Sequence, residues 1–513
     1  MNKKRFIDIN EYVADAIAGT VFEGNVYAVG GSVRDYVMEQ EIKDIDYVVS
    51  FPDGGIRLAE FLESKGLTST PVVKYERYGT AMVKLSEFPN ENIEFVQTRS
   101  EKYNKDSRNP DTEYGSIEED AVRRDLTINA LYFNISTGKI IDPTGWGMFD
   151  IENHIIRTTT DPDKVFEDDP LRILRVIRFS ARFGWSIGDD IMDSIVGNRS
   201  RLGIISKERI LDELTKMLNG NHPGYAMQEI FEAGLEKYIF GKDNLYLKNN
   251  IYKASSILDS ISSFSNEYSK KYGVKLRRLP VMLYVIMKHT IDCVKSDPMD
   301  ILRLMKVDNK TAKETSQLLA LSNTGIIPKC ISDSERRRLM YVYGRTNFLT
   351  ILLIEKIDIL LDASLEWRQD ITKDGIIDNL IQKCDNEDKE GIFKYDQKLP
   401  IDGNDIINYI HPRMMEDVGK IFVTAWNIMF ETPSISKEDM LDTLKSIYDD
   451  NYNFDNIMCE KKEKLDVRHK CNGCLWYGQK DICDESVCIP NELSVEAKKE
   501  KLKKKINNIK NII

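Results

Sequence analysis

Val26-Tyr27-Ala28-Val29-Gly30-Gly31-Ser32-Val33-Arg34-Asp35 is followed shortly by Asp44-Ile45-Asp46-Tyr47-Val48-Val49. The apolar run Val26–Val29 reads as a strand, the two glycines as a turn, Val33 to Met38 as a helix start, and Ile45–Val49 as a second strand. Gly30 and Gly31 let the backbone approach a phosphate closely, and the helix start beyond them aims its amides at that anion. Arg34 can add a charge-assisted contact. Side chains alternate across a strand, so Asp44 and Asp46 point the same way with Ile45 buried behind them. Two adjacent carboxylates repel unless a cation neutralises them. Hard oxygen ligands at this spacing suit Mg²⁺, which takes one or two carboxylates and completes its shell with water and phosphate oxygens. Glu94, in Ile93-Glu94-Phe95-Val96, is the expected third carboxylate of a two-metal site.

Outward from this stretch, Thr80–Leu85 and Ile93–Thr98 alternate as strands, and Ser100–Ser116 reads as an aperiodic polar loop. A helix is expected over Glu118–Ala130, a strand over Leu131–Ile135 and a turn at Asp142-Pro143. Beyond Asp150 helical periods take over, at Leu171–Phe183, Lys207–Leu218, Gly224–Ala233, Leu279–His289, Phe348–Leu361, Met415–Phe430 and Ser436–Tyr448. The fold class is α+β, a mixed α/β head followed by an all-α remainder.

A chain of 513 residues is too long for one core and implies two to four domains. With 42% hydrophobic and 30% charged residues it is neither disordered nor a membrane protein, since no apolar run nears the ~20 residues of a membrane helix. The opening Met1-Asn2-Lys3-Lys4-Arg5 lacks an apolar stretch behind it, so a cytoplasmic location is expected. The net charge of −11 argues against wholesale coating of nucleic acid but allows a local basic groove.

GGSVRD and DID, then VRRDLTINAL (122–131), EDDPLRILRVIRFSARFGW (167–185) and ISKERILDEL (205–214), resemble in order and spacing the class II CCA-adding enzymes and bacterial-type poly(A) polymerases of the polymerase β nucleotidyltransferase superfamily. The similarity is clear from about residue 24 to 240, and Leu399-Pro400-Ile401, Gly403 and Gly419-Lys420 resemble the tail of CCA-adding enzymes. The resemblance implies a catalytic head over 1–150, a nucleotide-reading neck over 151–240 and a tRNA-binding body and tail over 241–450. It places two magnesium ions on Asp44 and Asp46, and the triphosphate at Gly30, Gly31 and Arg34. Arg124, Asp125 and Asn129 would bind nucleotide and ribose, and Asp169, Arg172, Arg175 and Arg178 would line the base-reading helix. Asp168-Asp169 stands where the family usually has Glu-Asp. Arg99, Glu101 and Tyr103 resemble the start of the family's mobile loop. The expected partners are tRNA, ATP and CTP, and the expected reaction is addition of C-C-A to a tRNA 3′ end. Poly(A) addition, or RNA binding without catalysis, are the alternative readings.

The residue chemistry of the neck helix agrees. A carboxylate and a guanidinium three residues apart share one helix face. The carboxylate accepts from cytosine N4 or adenine N6, while the guanidinium donates to cytosine N3 and O2 or adenine N1. Uracil and guanine reverse those polarities. The bland alternative for this segment is that Asp169 caps the helix, with Pro170 opening it, and that Arg175 and Arg178 are a solvated basic face.

Residues 451–513 change character. Cys471, Cys474, Cys483 and Cys488 have the ligand type and spacing of a structural zinc knuckle, with reduced cysteines or an iron–sulfur cluster as alternatives. The lysines from Lys498 to Lys510 suit phosphate contacts or a solvated helix face.

Overall fold

The computed structural model describes residues 2–76, 79–102, 111–241, 250–291, 297–324, 332–365, 371–394, 397–412 and 417–448. It divides into two compact units, Met1–Lys313 and Glu314–Ile513.

The first unit opens with α1 (Lys3–Ile17), β1 (Val26–Val29), α2 (Gly31–Val37), β2 (Ile45–Val49) and α3 (Gly54–Ser64). β3 (Val73–Tyr75), β4 (Thr80–Leu85) and β5 (Phe88–Gln97) follow, then a separate two-stranded ribbon of β6 (Arg99–Lys102) and β7 (Asp111–Tyr114). α4 (Ile117–Val122), β8 (Tyr132–Asn134), β9 (Lys139–Ile141) and α5 (Gly147–Glu152) complete the α/β part. The main sheet runs β3-β4-β5-β2-β1-β8-β9 and is antiparallel except where β2 lies parallel to β5.

Alternation along β2 divides the sheet into a closed face and a working face. On the closed face, Tyr47 packs its ring at a tilt 5.3 Å from that of Phe95 and donates its hydroxyl to Asn10 of α1 at 2.8 Å. α3 also covers this face, and it packs so tightly that a Cβ on Gly55 would lie 2.5 Å from the Phe95 carbonyl oxygen. On the other face, Tyr27, Val29, Val48 and Tyr132 pack with Ile117 and Ala121 of α4. Asp46 shares this second face at the beginning of β2.

Two expectations need correction. The helix foreseen over Glu118–Ala130 stops at Val122 and resumes only as a single 3₁₀ turn over Thr127–Asn129. The cause is local hydrogen bonding. Asp125 accepts the Leu126 amide at 2.9 Å and the Asn129 side-chain amide at 2.9 Å, which offers the backbone an alternative to the helical ladder. The stretch read as an aperiodic loop from Ser100 contains the β6–β7 ribbon, with Arg99 opposite Tyr114 and Ser100 opposite Glu113. That pairing is carried by main-chain bonds beneath polar side chains, so no apolar alternation marks it.

The helical part of the first unit contains α6 (Pro162–Asp168), α7 (Leu171–Phe183), α8 (Asp189–Asn198), α9 (Lys207–Leu218), α10 (Pro223–Glu232), α11 (Glu236–Phe240), α12 (Ile251–Tyr272), α13 (Leu279–Thr290) and α14 (Pro298–Leu304). α7 packs on α9 and α10, and α12 on α10 and α13. The division between units falls inside α15 (Asn309–Ser322).

The described part of the second unit is helical: α16 (Asp333–Tyr343), α17 (Arg345–Leu365), α18 (Ile371–Glu390), α19 (Gly403–Ile410), α20 (Asp417–Glu431) and α21 (Lys437–Ile447). Its apolar core joins Ile406, Ile421, Met429, Phe430, Met440 and Leu444. Beside it the buried Glu387 accepts from Arg336 at 2.7 Å and from Arg337 at 2.6 Å, an ion triad that ties α16 to α18. Among the described residues, no helix is long and apolar enough to cross a membrane.

Candidate active site

Gly30 ends β1 with φ of +68°, a conformation costly to any residue with a Cβ. A Cβ there would also lie 3.1 Å from Arg124 Nη1, so the glycine admits that guanidinium to the turn. Asp44 lies just before β2. Asp46 is on β2, in register with Val29 on one side and Glu94 of the parallel β5 on the other. Asp46 retains solvent-exposed surface even though protein crowds its carboxyl from the sides.

Crowding raises the Asp46 pKa above the usual carboxylate range. Asp44 adds to the rise and Arg124 opposes it. Glu94 is raised as well, by burial first and then by Asp46, with Arg99 opposing. Among the described residues no three acidic, histidine or cysteine side chains are gathered into a ready metal cage. The donor set nevertheless fits Mg²⁺, a hard cation that takes few carboxylates and completes its shell with water and phosphate oxygens. Two carboxyls facing one another at raised pKa are chemically short of positive charge.

Around this pair the arginines are held by acids. Asp120, fully buried, accepts from Arg123 at 2.7 Å, from Arg124 at 2.9 Å and from the Tyr132 hydroxyl at 2.6 Å. Burial alone would raise its pKa, but the charges of Arg124 and Arg123 and the Tyr132 bond hold it far below the usual range. Arg34 is 2% exposed; it donates to Asp35 at 2.7 Å and to the Asn129 side-chain oxygen, and it lies over the rings of Phe179 and Phe183. In this arrangement Arg34 braces α2 against the 3₁₀ turn and α7. Arg182 of α7 reaches the second Asp35 oxygen at 3.1 Å.

The candidate base-reading helix is equally committed. Asp169 accepts the Leu171 amide at 3.1 Å, so it does cap α7, and its other oxygen takes Arg209 of α9 at 3.1 Å. Arg172, 7% exposed, donates to the carbonyls of Arg123 at 2.7 Å and Val165 at 3.4 Å. Arg175 pairs with Asp125 at 2.7 Å, and Arg178 with Glu213 at 2.6 Å. Neither is a solvated basic face. Asp125 is thereby held far below the usual range, because Arg175, the bonds from Asn129 and Arg175, and Arg172 together outweigh its burial.

The structure thus gathers Gly30, Gly31, Arg34, Arg124, Asp125 and Asn129 around one turn, with Asp44 just before β2 and with Asp46 and Glu94 side by side on the interior strands β2 and β5 of the same sheet. Glu101 is on β6, while Tyr103 and the four cysteines Cys471, Cys474, Cys483 and Cys488 lie outside the described residues. Asp120, Tyr132, Arg182, Arg209 and Glu213 had no role in the sequence reading. Asp120 left a signal, since it precedes Arg123 and Arg124 by three and four residues, the spacing of helical neighbours.

Comparison with known proteins gives the family. The family described as "Poly A polymerase head domain" matches residues 26–157, and "Probable RNA and SrmB- binding site of polymerase A" matches residues 184–243. A "CCA tRNA nucleotidyltransferase, mitochondrial" of Saccharomyces cerevisiae is 31% identical over 287 residues, 49% of this chain and 51% of that one, so the chain spans about half the length of this relative. A "CCA-adding enzyme" of Geobacillus sp. is 32% identical over 321 residues, covering 61% of this chain and 69% of the relative. The crystal structure of the Bacillus stearothermophilus CCA-adding enzyme in complex with CTP shares the fold, with a TM-score of 0.63 over 88% of this chain and 98% of that one at 21% identity. With the order of motifs, the sheet that carries Asp46 beside Glu94, and a relative matched over more than two thirds of its length, this chain belongs to the family of CCA-adding enzymes and bacterial-type poly(A) polymerases.

Proposed function

We propose that the chain adds C-C-A to the 3′ end of tRNA without a template, drawing on CTP and ATP and releasing pyrophosphate. The observation that carries this reading is the Asp46–Glu94 pair beside the Gly30–Gly31 turn, with Arg124 drawn in over the glycine. Asp44 and Asp46, with Glu94, would hold two magnesium ions, which lower the pKa of an attacking 3′-hydroxyl and neutralise charge on the leaving oxygens.

The remaining roles fall to the chain's own side chains. Arg124 lies where a triphosphate at the turn would need a cation, and Asp120 with Tyr132 keeps it there. Asn129, in the 3₁₀ turn, and Asp125, just before it, orient the ribose. Asp169 and Arg172 would read the base by exchanging their bonds to Arg209 and to the Arg123 and Val165 carbonyls for contacts with it, the carboxylate accepting an exocyclic amino group and the guanidinium donating to the ring nitrogen. Cytosine and adenine satisfy both, and uracil and guanine meet like polarity at both, so rejection is built in along with attraction. Arg175 and Arg178 support that helix through Asp125 and Glu213. The head would comprise residues 1–150 and the neck 151–240, with tRNA held by 241–450. The proposed compartment is the cytoplasm, where a buried reduced thiol such as Cys384 is ordinary.

The test is incubation with magnesium and a tRNA ending at its discriminator base, with each labelled nucleotide alone and then CTP with ATP. Products that stop at C-C-A, and that vanish with Asp44→Ala, are expected. Long A-only tails would make the chain a poly(A) polymerase, and no incorporation at all would defeat the catalytic reading.

A further inference from the structure

Away from the head, the first unit contains a cleft of about 470 Å³ lined by polar and basic residues. Ser262, Ser265, Asn266 and Ser269 supply one wall. They recur at three- and four-residue steps on α12 and so form one face of it, while Ile257, Leu258 and Ile261 of the same helix are buried. Asn219, just past the end of α9, and Lys275 and Arg277, beyond the end of α12, complete the lining.

The cleft is built by specific bonds. Ser265 Oγ accepts the Arg277 amide at 3.0 Å, and Ser262 Oγ donates to the Asn221 carbonyl at 3.2 Å. The Arg277 guanidinium donates to the carbonyls of Asn219 and Gly220, which fixes it at the end of α9. Lys275 and Asn266 stay exposed. The lining therefore offers ammonium, guanidinium, amide and hydroxyl groups, and it contains no carboxylate, in a chain with net charge −11. An apolar ligand would bury against a mostly polar wall and leave its hydroxyl, amide and charged groups unpaired. A cation would meet two charges of its own sign. An anion rich in acceptor oxygens is the ligand that fits, and a phosphate is the commonest of these.

We propose that this cleft seats a backbone phosphate of the RNA substrate at a site separate from the nucleotide pocket. The inference rests on the reading of the chain as an RNA-extending enzyme. RNA is favoured over a free anion because Asn219 lies inside residues 184–243, the segment matched to a probable RNA-binding family, and α12 extends that surface beyond the match. A phosphate contact of this kind positions RNA without reading its sequence.

The test uses the full chain carrying Lys275→Glu, with Asn266→Asp as a milder second variant; Arg277 is left in place because its bonds hold the α9 terminus. Binding of a tRNA lacking C-C-A is measured without nucleotide across about 50 to 200 mM salt. For Lys275→Glu we expect affinity to fall roughly 3- to 10-fold and the log–log salt slope to flatten by about one. The melting temperature and the KM for CTP and ATP should not move. Wild-type affinity and slope in both variants, alongside normal nucleotide addition, would overturn the inference and leave the function intact. Direct binding of inorganic phosphate by the wild-type chain that is lost in Lys275→Glu, with RNA affinity unchanged, would overturn the RNA assignment in favour of a free anion. A wild-type chain that extends no RNA but shows the Lys275-dependent slope would defeat the function and leave the cleft standing.

Discussion

The acids of the head fall into two groups with opposite fates. Asp46 and Glu94 face each other on parallel strands, and both are pushed toward the protonated form. Asp120 and Asp125 lie deeper, yet both are drawn far toward the ionised form. Depth of burial therefore does not decide the charge state; the nearest arginines do. One group is a frame whose charges are already balanced. The other is left unbalanced at the place where a cation and a triphosphate would balance it.

Removing one member of each group should separate these roles. Asp46→Ala should cut magnesium-dependent incorporation by roughly a thousandfold. Its thermal stability should be unchanged or slightly raised, because a carboxylate whose folded pKa is raised opposes folding at neutral pH. Asp125→Ala should do the reverse first. Stripping Arg175, which is 35% exposed, of its partner should cost about 2–3 kcal/mol of stability, below the value for a fully buried pair. Equal melting temperatures for the two variants would erase the distinction.

Acid titration sharpens the comparison further. Asp120 and Asp125 have depressed folded pKa values, so the stability they contribute is present above the unfolded carboxylate value and is lost as pH falls through the folded one. Asp46 and Glu94, being raised, take up protons first on acidification, and protons compete with metal for them. The magnesium concentration needed for half-maximal activity should therefore climb on mild acidification while the melting temperature holds. Stability falling in step with magnesium affinity would show that the two groups are not independent.

The same contrast marks what the sequence made legible. β1, β2, β4, α7 and α9 have the limits expected, because β1 is an apolar run, β2 and β4 are short strands rich in β-branched and apolar residues, and α7 and α9 are clean helical periods closed by a glycine or a polar cap. Asp46 and Glu94 could be paired in advance because strands with period two fix which residues share a face. The partners of Arg175 and Arg178 could not. A sequence displays a guanidinium but not the acid that folding brings to it from 50 residues away, as Asp125 is brought to Arg175. The break after Val122 was hidden for a related reason. Its cause is side-chain bonding by Asp125, and the composition of 118–130 favours a continuous helix until that bonding is known.

The smallest predicted effect probes whether the balanced frame serves the unbalanced site. Tyr132 donates to Asp120 at 2.6 Å and accepts from Arg124 at 3.2 Å, so its hydroxyl closes a triangle that fixes where Arg124 points. Tyr132→Phe keeps the ring against Tyr27 and leaves the Asp120–Arg124 ion pair in place. The loss is about 1 kcal/mol of hydrogen bonding. If Arg124 binds the triphosphate, that small slackening should appear as a rise of roughly two- to fivefold in the KM for CTP and ATP, with kcat and RNA affinity nearly unchanged. A drop in stability with KM unmoved would confine Tyr132 to the frame and detach Arg124's orientation from nucleotide binding.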